Sequence, residues 1–168
     1  YEIIVVDDGS TDATAQKVVR AAVPHVRLVR HEWNHGYGAA VARGLSEARK
    51  QWVFFTDSDL QFDLIELERL VPLTRSADVV AGYRAERRDP LVRRVSAWAW
   101  GRRVNGLFDL GVRDVNCAFK LFRRSALEQI RVRSAGAFVN TEILARLRIS
   151  GFRIVQVPVT HYPRSAGT

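Results

Sequence analysis

Short apolar runs alternate with longer amphipathic stretches over the first half of the chain. The runs lie at residues 3–6, 26–29, 53–55 and 77–81, and three helical patterns separate them, at 13–22, from about 39 to Lys50 and at 64–73. Apolar runs of this length, rich in β-branched residues and bounded by turn residues, are typical of buried parallel strands. The alternation predicts an α/β fold with a mostly parallel, doubly wound sheet, helices on both faces, right-handed crossovers and 53–55 as a central strand.

The pattern changes between Arg84 and Arg113, a stretch rich in arginine, tryptophan and leucine. Leu91, Val95 and Trp98 follow one another at helical spacing there. Aromatic and basic residues on one helix suit a membrane interface or an anionic lipid. They equally suit an amphipathic helix that covers the sheet while its arginines reach to solvent. Both interpretations remain open.

The last third of the chain returns to recognisable elements. We expect a strand within 114–124, a short helix capped by Ser125 and ending near Ile130, and a helix from Thr141 to Ser150 that stops at Gly151. A final strand is expected at 152–159.

Composition and charge narrow the class of protein. The chain has 168 residues, which suits one compact domain, and its single cysteine excludes an internal disulfide. It contains no apolar run of about 18 residues that would predict a spanning helix. The formal charge is +8 and comes mostly from arginine, which favours anionic partners such as phosphorylated substrates, an anionic membrane surface or nucleic acid.

Two carboxylates one residue apart follow the apolar run at 53–55, in the order Asp57, Ser58, Asp59. Ligands bind at the carboxyl ends of strands in open α/β sheets, and alternate residues of an extended chain point the same way. Mg²⁺ and Mn²⁺ take such oxygen ligands together with substrate phosphates. The alternative is an acidic turn that caps the next helix.

A second acidic strand end, Asp7 and Asp8 followed by Gly9, precedes the first helix. A carboxylate there can bind a nucleotide base or ribose, or residues 10–12 can simply cap the helix. Gly36 and Gly38 at the next helix start would let backbone N–H groups approach a phosphate or a sugar. His31 and His35 have no cysteine or third histidine near them, so we reject a zinc site.

Six motifs in order carry a resemblance that covers essentially the whole chain: VVDDGSTD, NHGYGAAVARG, FTDSDLQ, VAGYR, RDVNCAFKLFRR and GFRIVQVPVTHYPRSAG. The series resembles the inverting family-2 glycosyltransferases of GT-A fold, in the branch of dolichol-phosphate mannose synthase and other polyprenyl-phosphate glycosyltransferases. That family's first strand, of the type VxVVIPxYNE, has no match here. The resemblance therefore implies a single GT-A domain over residues 1–168 that lacks the first strand and helix.

The resemblance also implies roles for individual residues. Tyr37 stands where the family often has lysine, so a phosphate contact is lost or reassigned there. The implied metal ligands are Asp57, Asp59 and Gln61; the implied nucleotide-sugar contacts are Asp7, Asp8, Gly9, Gly36, Gly38, Asp57 and Ser58; the implied phosphate or acceptor contacts are Arg84, Arg93, Arg94, Lys120 and Arg164; and the acidic residues near the sugar are Asp114 and Glu142, which with Asp59 form the expected catalytic set.

The implied reaction is the transfer of a sugar from a UDP- or GDP-sugar to a polyprenyl phosphate, with inversion and with Mg²⁺ or Mn²⁺. A hydroxyl acceptor is the alternative, and it would require Asp114 or Glu142 as general base. We expect a peripheral protein at the cytoplasmic face of a membrane and no nucleic-acid partner. A less favoured class is a phosphoacceptor receiver domain, whose clustered aspartates also bind Mg²⁺.

Overall fold

Six strands and six α-helices form the molecule in a computed structural model that describes residues 1–85 and 91–163, with the backbone alone at 91–98 and at 104. The strands are β1 (Ile3–Asp7), β2 (Val26–Arg30), β3 (Trp52–Thr56), β4 (Val79–Arg84), β5 (Phe119–Arg123) and β6 (Ile154–Val159). The helices are α1 (Thr14–Arg20), α2 (Tyr37–Glu47), α3 (Leu67–Leu70), α4 (Leu91–Phe108), α5 (Arg124–Leu127) and α6 (Val139–Ile149), and 3₁₀ turns at Leu64–Glu66 and Val71–Arg75 flank α3.

The strands form a parallel pair, β1–β2, and a four-stranded sheet in the order β3-β5-β4-β6. In the larger sheet β5 runs antiparallel to both of its neighbours, whereas β4 and β6 are parallel, so this sheet is mixed. The α/β class is confirmed. The prediction that 53–55 is a central strand is wrong for this sheet, because β5 is inserted between β3 and β4 and leaves β3 at the end of the order.

The two faces of the larger sheet carry separate hydrophobic clusters. Along β5, Phe119 and Leu121 belong to the cluster that includes Leu70 of α3, and Phe122 belongs to the cluster built on α6. Successive side chains of a strand point to opposite faces. Lys120 therefore shares the α6 face with Phe122, which places a lysine inside the core.

The predicted helix at 64–73 is broken into a 3₁₀ turn, the single turn of α3 and a second 3₁₀ turn. Pro72, in the second turn, has no N–H to continue an α-helical ladder. Ser125 was predicted as a helix cap, but it lies inside α5, and Arg123 occupies the cap position without a side-chain bond. Gly151 ends α6 as expected, with a φ of 86°.

The helix predicted in the arginine-rich stretch is present as α4 (Leu91–Phe108). Of its aromatic residues, Trp100 is 40% exposed and its ring lies 6.0 Å from that of Phe138. The side chains of Arg93, Arg94 and Trp98 lie outside the described residues. Within the described part of the chain, no helix combines the length and the apolar character needed to cross a membrane.

Candidate functional site

Asp57 and Asp59 follow the carboxyl end of β3, as predicted, and both side chains are partly exposed. The Tyr37 hydroxyl donates a hydrogen bond to Asp57 Oδ1 at 3.2 Å, and Asp59 Oδ1 accepts the backbone N–H of Gln61 at 3.2 Å. Leu60 between them has a φ of 59°, an unusual value for a leucine. This left-handed residue turns the chain between Asp59 and Gln61 at a backbone cost that is typical of functional sites.

The donor set at this strand end fits a divalent cation that is shared with a substrate. Two carboxylates, from Asp57 and Asp59, are the oxygen ligands that Mg²⁺ and Mn²⁺ prefer, and Mg²⁺ commonly takes the rest of its shell from phosphates and water. Residues 1–85 and 91–163 contain no group of three or more His, Cys, Asp or Glu side chains placed to hold a metal ion. A cation here would therefore depend on substrate oxygens to complete its coordination.

Gln61 is the third implied metal ligand, and its side chain is bound by Tyr162 in the segment that follows β6. Its Nε2 donates to the carbonyl of Tyr162 at 3.0 Å, and the N–H of Tyr162 donates to the Gln61 carbonyl at 2.8 Å. These two bonds join the end of the acidic loop to the segment that follows β6. Only Oε1 of the Gln61 amide has the lone pairs for a metal.

Asp8 binds the loop that leads into α2. Its carboxylate accepts the backbone N–H groups of His35 and Gly36, at 3.0 and 2.8 Å, and Oδ1 lies 2.7 Å from His31 Nδ1. Burial alone would raise the pKa of Asp8, but these hydrogen bonds lower it below its ordinary value. Since Gly36 directly precedes Tyr37, Asp8 and Asp57 contact neighbouring residues at the start of α2.

The two glycines of this helix start are used for close packing. The N–H of Gly38 donates to the carbonyl of Ala135 at 2.7 Å, and a Cβ at Gly38 would overlap the backbone of residues 134–136. Gly36 has a φ of 94°, and its N–H is taken by Asp8 and Asn34. A phosphate bound to either N–H would have to displace a protein acceptor, so their predicted nucleotide-sugar contact has no support from this geometry.

Contacts with Ser10, Arg30 and Trp33 fix the acidic turn after β1. Asp7 is buried, accepts the N–H of Ser10 at 3.1 Å and forms an ion pair with Arg30 at 3.1 Å. Gly9 has a φ of 73°, and the backbone of Trp33 leaves no room for a side chain on it. The cap position of α1 is occupied by Ala13, which is not one of the three predicted caps. Of those three, Asp12 accepts the N–H of Thr14 at 2.9 Å.

Arg84 and Asp114, expected to bind a phosphate and to act near the sugar, bind each other. Arg84 Nε lies 2.7 Å from Asp114 Oδ2, and its terminal nitrogen lies 3.1 Å from Oδ1. The pair is bidentate and Asp114 is 7% exposed. Such a pair holds both groups in one geometry.

Glu142 lies in the first turn of α6 and organises the loop before it. Its carboxylate accepts the backbone N–H groups of Arg133 and Ser134 and the side chain of Arg146 at 2.7 Å. Burial favours the neutral form, yet the hydrogen bonds from Ser134, Arg146 and Arg133 outweigh it and lower the pKa of Glu142 to about 2. Because this loop supports Gly38, Glu142 acts on the site through α2.

Lys120 is 1% exposed and reaches the site from within the core. Its ammonium donates to the carbonyl of Cys117 and to Asn140 Oδ1 at 3.1 Å. Burial lowers the pKa of Lys120 to about 8, although the negative charges of Asp114 and Asp57 stabilise its charged form. Its expected contact with a substrate phosphate stays a prediction, since protein acceptors surround the ammonium in this structure.

Two residues of the site were not identified from the sequence. Asn140 lies at the start of α6 and is 5% exposed. Its side chain links two residues of the site: Oδ1 accepts from Lys120, and Nδ2 lies 3.3 Å from the Tyr37 hydroxyl. An asparagine in the first turn of a helix carries no signal of such a role. Tyr37 itself was considered only for the contact that it lacks, and its hydroxyl proves to be the group that meets Asp57.

The remaining predicted contacts are less defined by the structure. Ser58 lies exposed beside the two aspartates, where a nucleotide-sugar could reach it. The side chains of Arg93, Arg94 and Arg164 lie outside the described residues, and their predicted phosphate contacts remain predictions.

Comparisons with known proteins show the family of the chain. The model of the family described as "Glycosyl transferase family 2" matches residues 1–131. The chain is 31% identical to a dodecaprenyl-phosphate galacturonate synthase of Rhizobium johnstonii, over 99% of this chain and 51% of that protein. It is 30% identical to an undecaprenyl-phosphate 4-deoxy-4-formamido-L-arabinose transferase of Pseudomonas fluorescens, over 99% of this chain and 49% of the relative. The chain thus spans about half the length of these two relatives.

A solved structure supports the fold. Glucosyl-3-phosphoglycerate synthase from Mycobacterium tuberculosis, crystallised with Mn²⁺ and UDP-glucose, aligns with a TM-score of 0.68 and 23% identity, over 96% of this chain and 60% of that one. This likeness confirms the expected GT-A architecture. The family match leaves no support for the alternative of a receiver domain. The family model covers the acidic turn after β1, the two aspartates after β3 and the strand that carries Lys120. The chain therefore belongs to glycosyl transferase family 2.

Proposed function

We propose that this chain carries the catalytic domain of a metal-dependent glycosyltransferase that moves a sugar from a nucleotide-sugar donor to a polyprenyl phosphate, with inversion at the sugar carbon. The observation that carries the proposal is the position of Asp57 and Asp59 at the carboxyl end of β3, where Asp57 contacts Tyr37 of α2 and Asp8 binds the preceding residue, Gly36. This edge is where open α/β sheets bind nucleotides. The names of the two polyprenyl-phosphate relatives support the acceptor class.

Asp57 and Asp59 would hold Mg²⁺ or Mn²⁺, with Oε1 of Gln61 as the further implied ligand. When bound, the cation neutralises charge that develops on the departing diphosphate. The donor is a UDP- or GDP-sugar, and the M. tuberculosis synthase, crystallised with UDP-glucose and Mn²⁺, supports the first of these. Asp8 and the buried Asp7 shape the turn that would face the base.

The acceptor class follows from the state of the other two carboxylates. A hydroxyl acceptor needs a general base, and a base works best with a pKa near the operating pH. Glu142 has a pKa of about 2, and its carboxylate accepts hydrogen bonds from three groups of the protein. Asp114 is held in a bidentate pair with Arg84. Neither is placed as an effective base, which supports an acceptor that is already an anion.

The transfer is then a single displacement. An oxygen of the acceptor phosphate attacks the anomeric carbon of the donor sugar as the bond from that carbon to the diphosphate oxygen breaks. The nucleoside diphosphate leaves with the bonding electrons, and no proton has to be removed from the nucleophile. The chain's task is to position the two substrates and to exclude water, for which effective concentration supplies much of the rate.

The basic residues would receive the lipid phosphate at a membrane surface. Arg93 or Arg94 of α4, together with Arg164, would contact that phosphate, with Trp98 and Trp100 of α4 at the level of the lipid headgroups. Arg84, fixed by Asp114, would orient the diphosphate side of the site. This arrangement makes the protein peripheral to the cytoplasmic face of the membrane.

A transfer assay with radiolabelled UDP- and GDP-sugars tests the proposal. A purified protein that contains this chain should label a polyprenyl phosphate in the presence of Mn²⁺, and it should leave the corresponding polyprenol unlabelled. Asp57→Asn should abolish most of the transfer, whereas Asp63→Asn, a matched change at the cap of the 3₁₀ turn, should retain it. Transfer to the polyprenol or to a soluble sugar, with none to the phosphate, would refute the lipid-phosphate acceptor and require Asp114 or Glu142 as base.

A further inference from the structure

A buried lysine is connected to the candidate metal ligand Asp57 by an unbroken chain of hydrogen bonds. Lys120 Nζ lies 3.1 Å from Asn140 Oδ1, Asn140 Nδ2 lies 3.3 Å from the Tyr37 hydroxyl, and that hydroxyl lies 3.2 Å from Asp57 Oδ1. The four side chains come from β5, α6, α2 and the loop after β3. The chain therefore joins the main structural elements around the site through side-chain atoms alone.

The direction of every hydrogen in this chain is determined by its first member. An ammonium group has donors and no acceptor, so the Asn140 oxygen must face Lys120 and the Asn140 NH₂ must face Tyr37. The Tyr37 oxygen therefore accepts from Asn140 and directs its own proton to Asp57.

Retaining a charge at Lys120 is costly for folding. The side chain is 1% exposed, and burying an ammonium group costs more than burying an apolar side chain of the same volume. Hydrogen bonds to the Cys117 carbonyl and to Asn140 offset part of that cost. The negative charges that favour the ammonium come from Asp114 and Asp57, both in the candidate site. The negative charges of the candidate site thus stabilise the charged form of the buried lysine.

From this geometry we propose that Lys120, Asn140 and Tyr37 are positioning residues that fix the rotamer of Asp57 for binding a divalent cation together with a diphosphate. The inference rests on the proposed metal site at Asp57. The Tyr37 hydroxyl holds Oδ1 in one direction, and Lys120 polarises the chain so that its last proton points at the carboxylate. Groups that hydrogen-bond to metal ligands commonly change metal affinity by about 10- to 100-fold when they are removed.

The chain also accounts for the tyrosine at position 37. A lysine at this position, as the family resemblance implies, would put a positive charge directly beside Asp57. Here the positive charge lies two hydrogen-bonded groups away, in the core, and a neutral hydroxyl makes the contact. The hydroxyl can thus orient Asp57 without placing a second cation beside the carboxylate that would bind the metal.

The test measures Mn²⁺ affinity in the presence of UDP by isothermal titration, together with the free energy of unfolding of each variant. Tyr37→Phe removes one oxygen and should weaken Mn²⁺ binding by about tenfold or more. The variant should remain folded, with a stability loss of at most about 1–3 kcal/mol because Asn140 loses an acceptor. Tyr83→Phe is the matched control. Tyr83 lies at the end of β4, where its hydroxyl contacts Arg113, and loss of this hydroxyl should leave Mn²⁺ affinity unchanged.

A double-mutant cycle tests whether the residues act in series. Asn140→Ala should weaken Mn²⁺ binding to a similar extent, and the double variant Tyr37→Phe/Asn140→Ala should bind Mn²⁺ no more weakly than the weaker single variant. Multiplying effects would contradict a single chain. Unchanged affinity in Tyr37→Phe would overturn the inference.

Asp57→Asn distinguishes this failure from a failure of the metal site itself. If wild type binds Mn²⁺ and Asp57→Asn does not, while Tyr37→Phe binds as wild type does, the positioning role alone is refuted. If wild type and Asp57→Asn bind Mn²⁺ equally, or if neither binds it, both the metal site and the positioning role are refuted.

Discussion

At the scale of single residues, Asp59 allows metal binding to be separated from folding. Its Oδ1 accepts the N–H of Gln61, and an asparagine oxygen can accept the same bond. Asp59→Asn should therefore leave the unfolding free energy nearly unchanged. It should weaken Mn²⁺ binding in the presence of donor by about tenfold or more, because one charged oxygen ligand is lost. Isothermal titration decides this, and unchanged metal-dependent affinity would remove Asp59 from the site.

Glu142 predicts a pH dependence of stability. Its pKa falls from 4.5 to about 2 on folding, so its stabilising contribution is complete above pH 4.5 and is lost as the pH falls through about 2. Glu142→Gln should lower the unfolding free energy at neutral pH by about 1–3 kcal/mol, since the N–H groups of Arg133 and Ser134 lose a charged acceptor. It should also reduce the acid sensitivity.

Urea denaturation at a series of pH values measures both effects. Glu128→Gln is the control, because that carboxylate is 54% exposed and, among the described residues, forms an ion pair with Arg124 at the start of α5. An acid-denaturation profile for Glu142→Gln that parallels the wild-type profile would show that Glu142 does not hold the loop.

At the scale of elements, the contact between α2 and the 134–136 loop requires a glycine at position 38. A Cβ at Gly38 would lie 2.7 Å from the carbonyl oxygen of Gly136 and would also overlap Ser134, so backbone atoms would have to move. Gly38→Ala should lower the unfolding free energy by about 1–3 kcal/mol. It should also weaken Mn²⁺ binding, because Tyr37 is the adjacent residue.

The control for this change is Gly106→Ala in α4. Among the described residues nothing lies within 4 Å of a Cβ at Gly106, so the alanine should be neutral or should stabilise the helix by about 0.5–1 kcal/mol. Equal stability of the Gly38→Ala variant and wild type, by chemical denaturation, would contradict the close approach.

At the scale of the whole molecule, Lys120 makes the fold more stable in mild alkali. Burial lowers its pKa from 10.5 to about 8, so between these values the unfolded chain binds more protons than the folded chain does. Lys120 should therefore raise the unfolding free energy as the pH rises above about 8, by about 1.4 kcal/mol per pH unit, until Cys117 offsets the rise above about pH 9. Lys120→Met should lack this rise.

The comparison is made by urea denaturation at about pH 7 to 9, where linear extrapolation gives the unfolding free energy of each protein. Cys117, whose pKa burial raises from 9.0 to about 12, contributes the opposite slope above that range. Parallel profiles for wild type and Lys120→Met would show that the buried lysine does not lose its proton there.

The sequence predicted what local patterns encode. Each strand run was identified because an apolar stretch between turn residues is a local signal, and Asp57 and Asp59 were placed at a strand end for the same reason. The antiparallel position of β5 was missed, since pairing depends on contacts between distant residues. The role of Lys120 was equally out of reach, because it depends on burial and on partners at positions 57 and 140.

The insertion of β5 between β3 and β4 has a consequence for synthesis on the ribosome. Phe55 pairs with Lys120 and Ala81 pairs with the same residue from the other side, so neither β3 nor β4 gains its sheet partner in β5 until residues 119–123 have emerged. Sheets joined by such long-range pairings form slowly, and open strand edges favour association between chains. While the nascent chain is still short of residue 119, its apolar strands are therefore exposed to aggregation, and chaperone binding should be strongest in that interval.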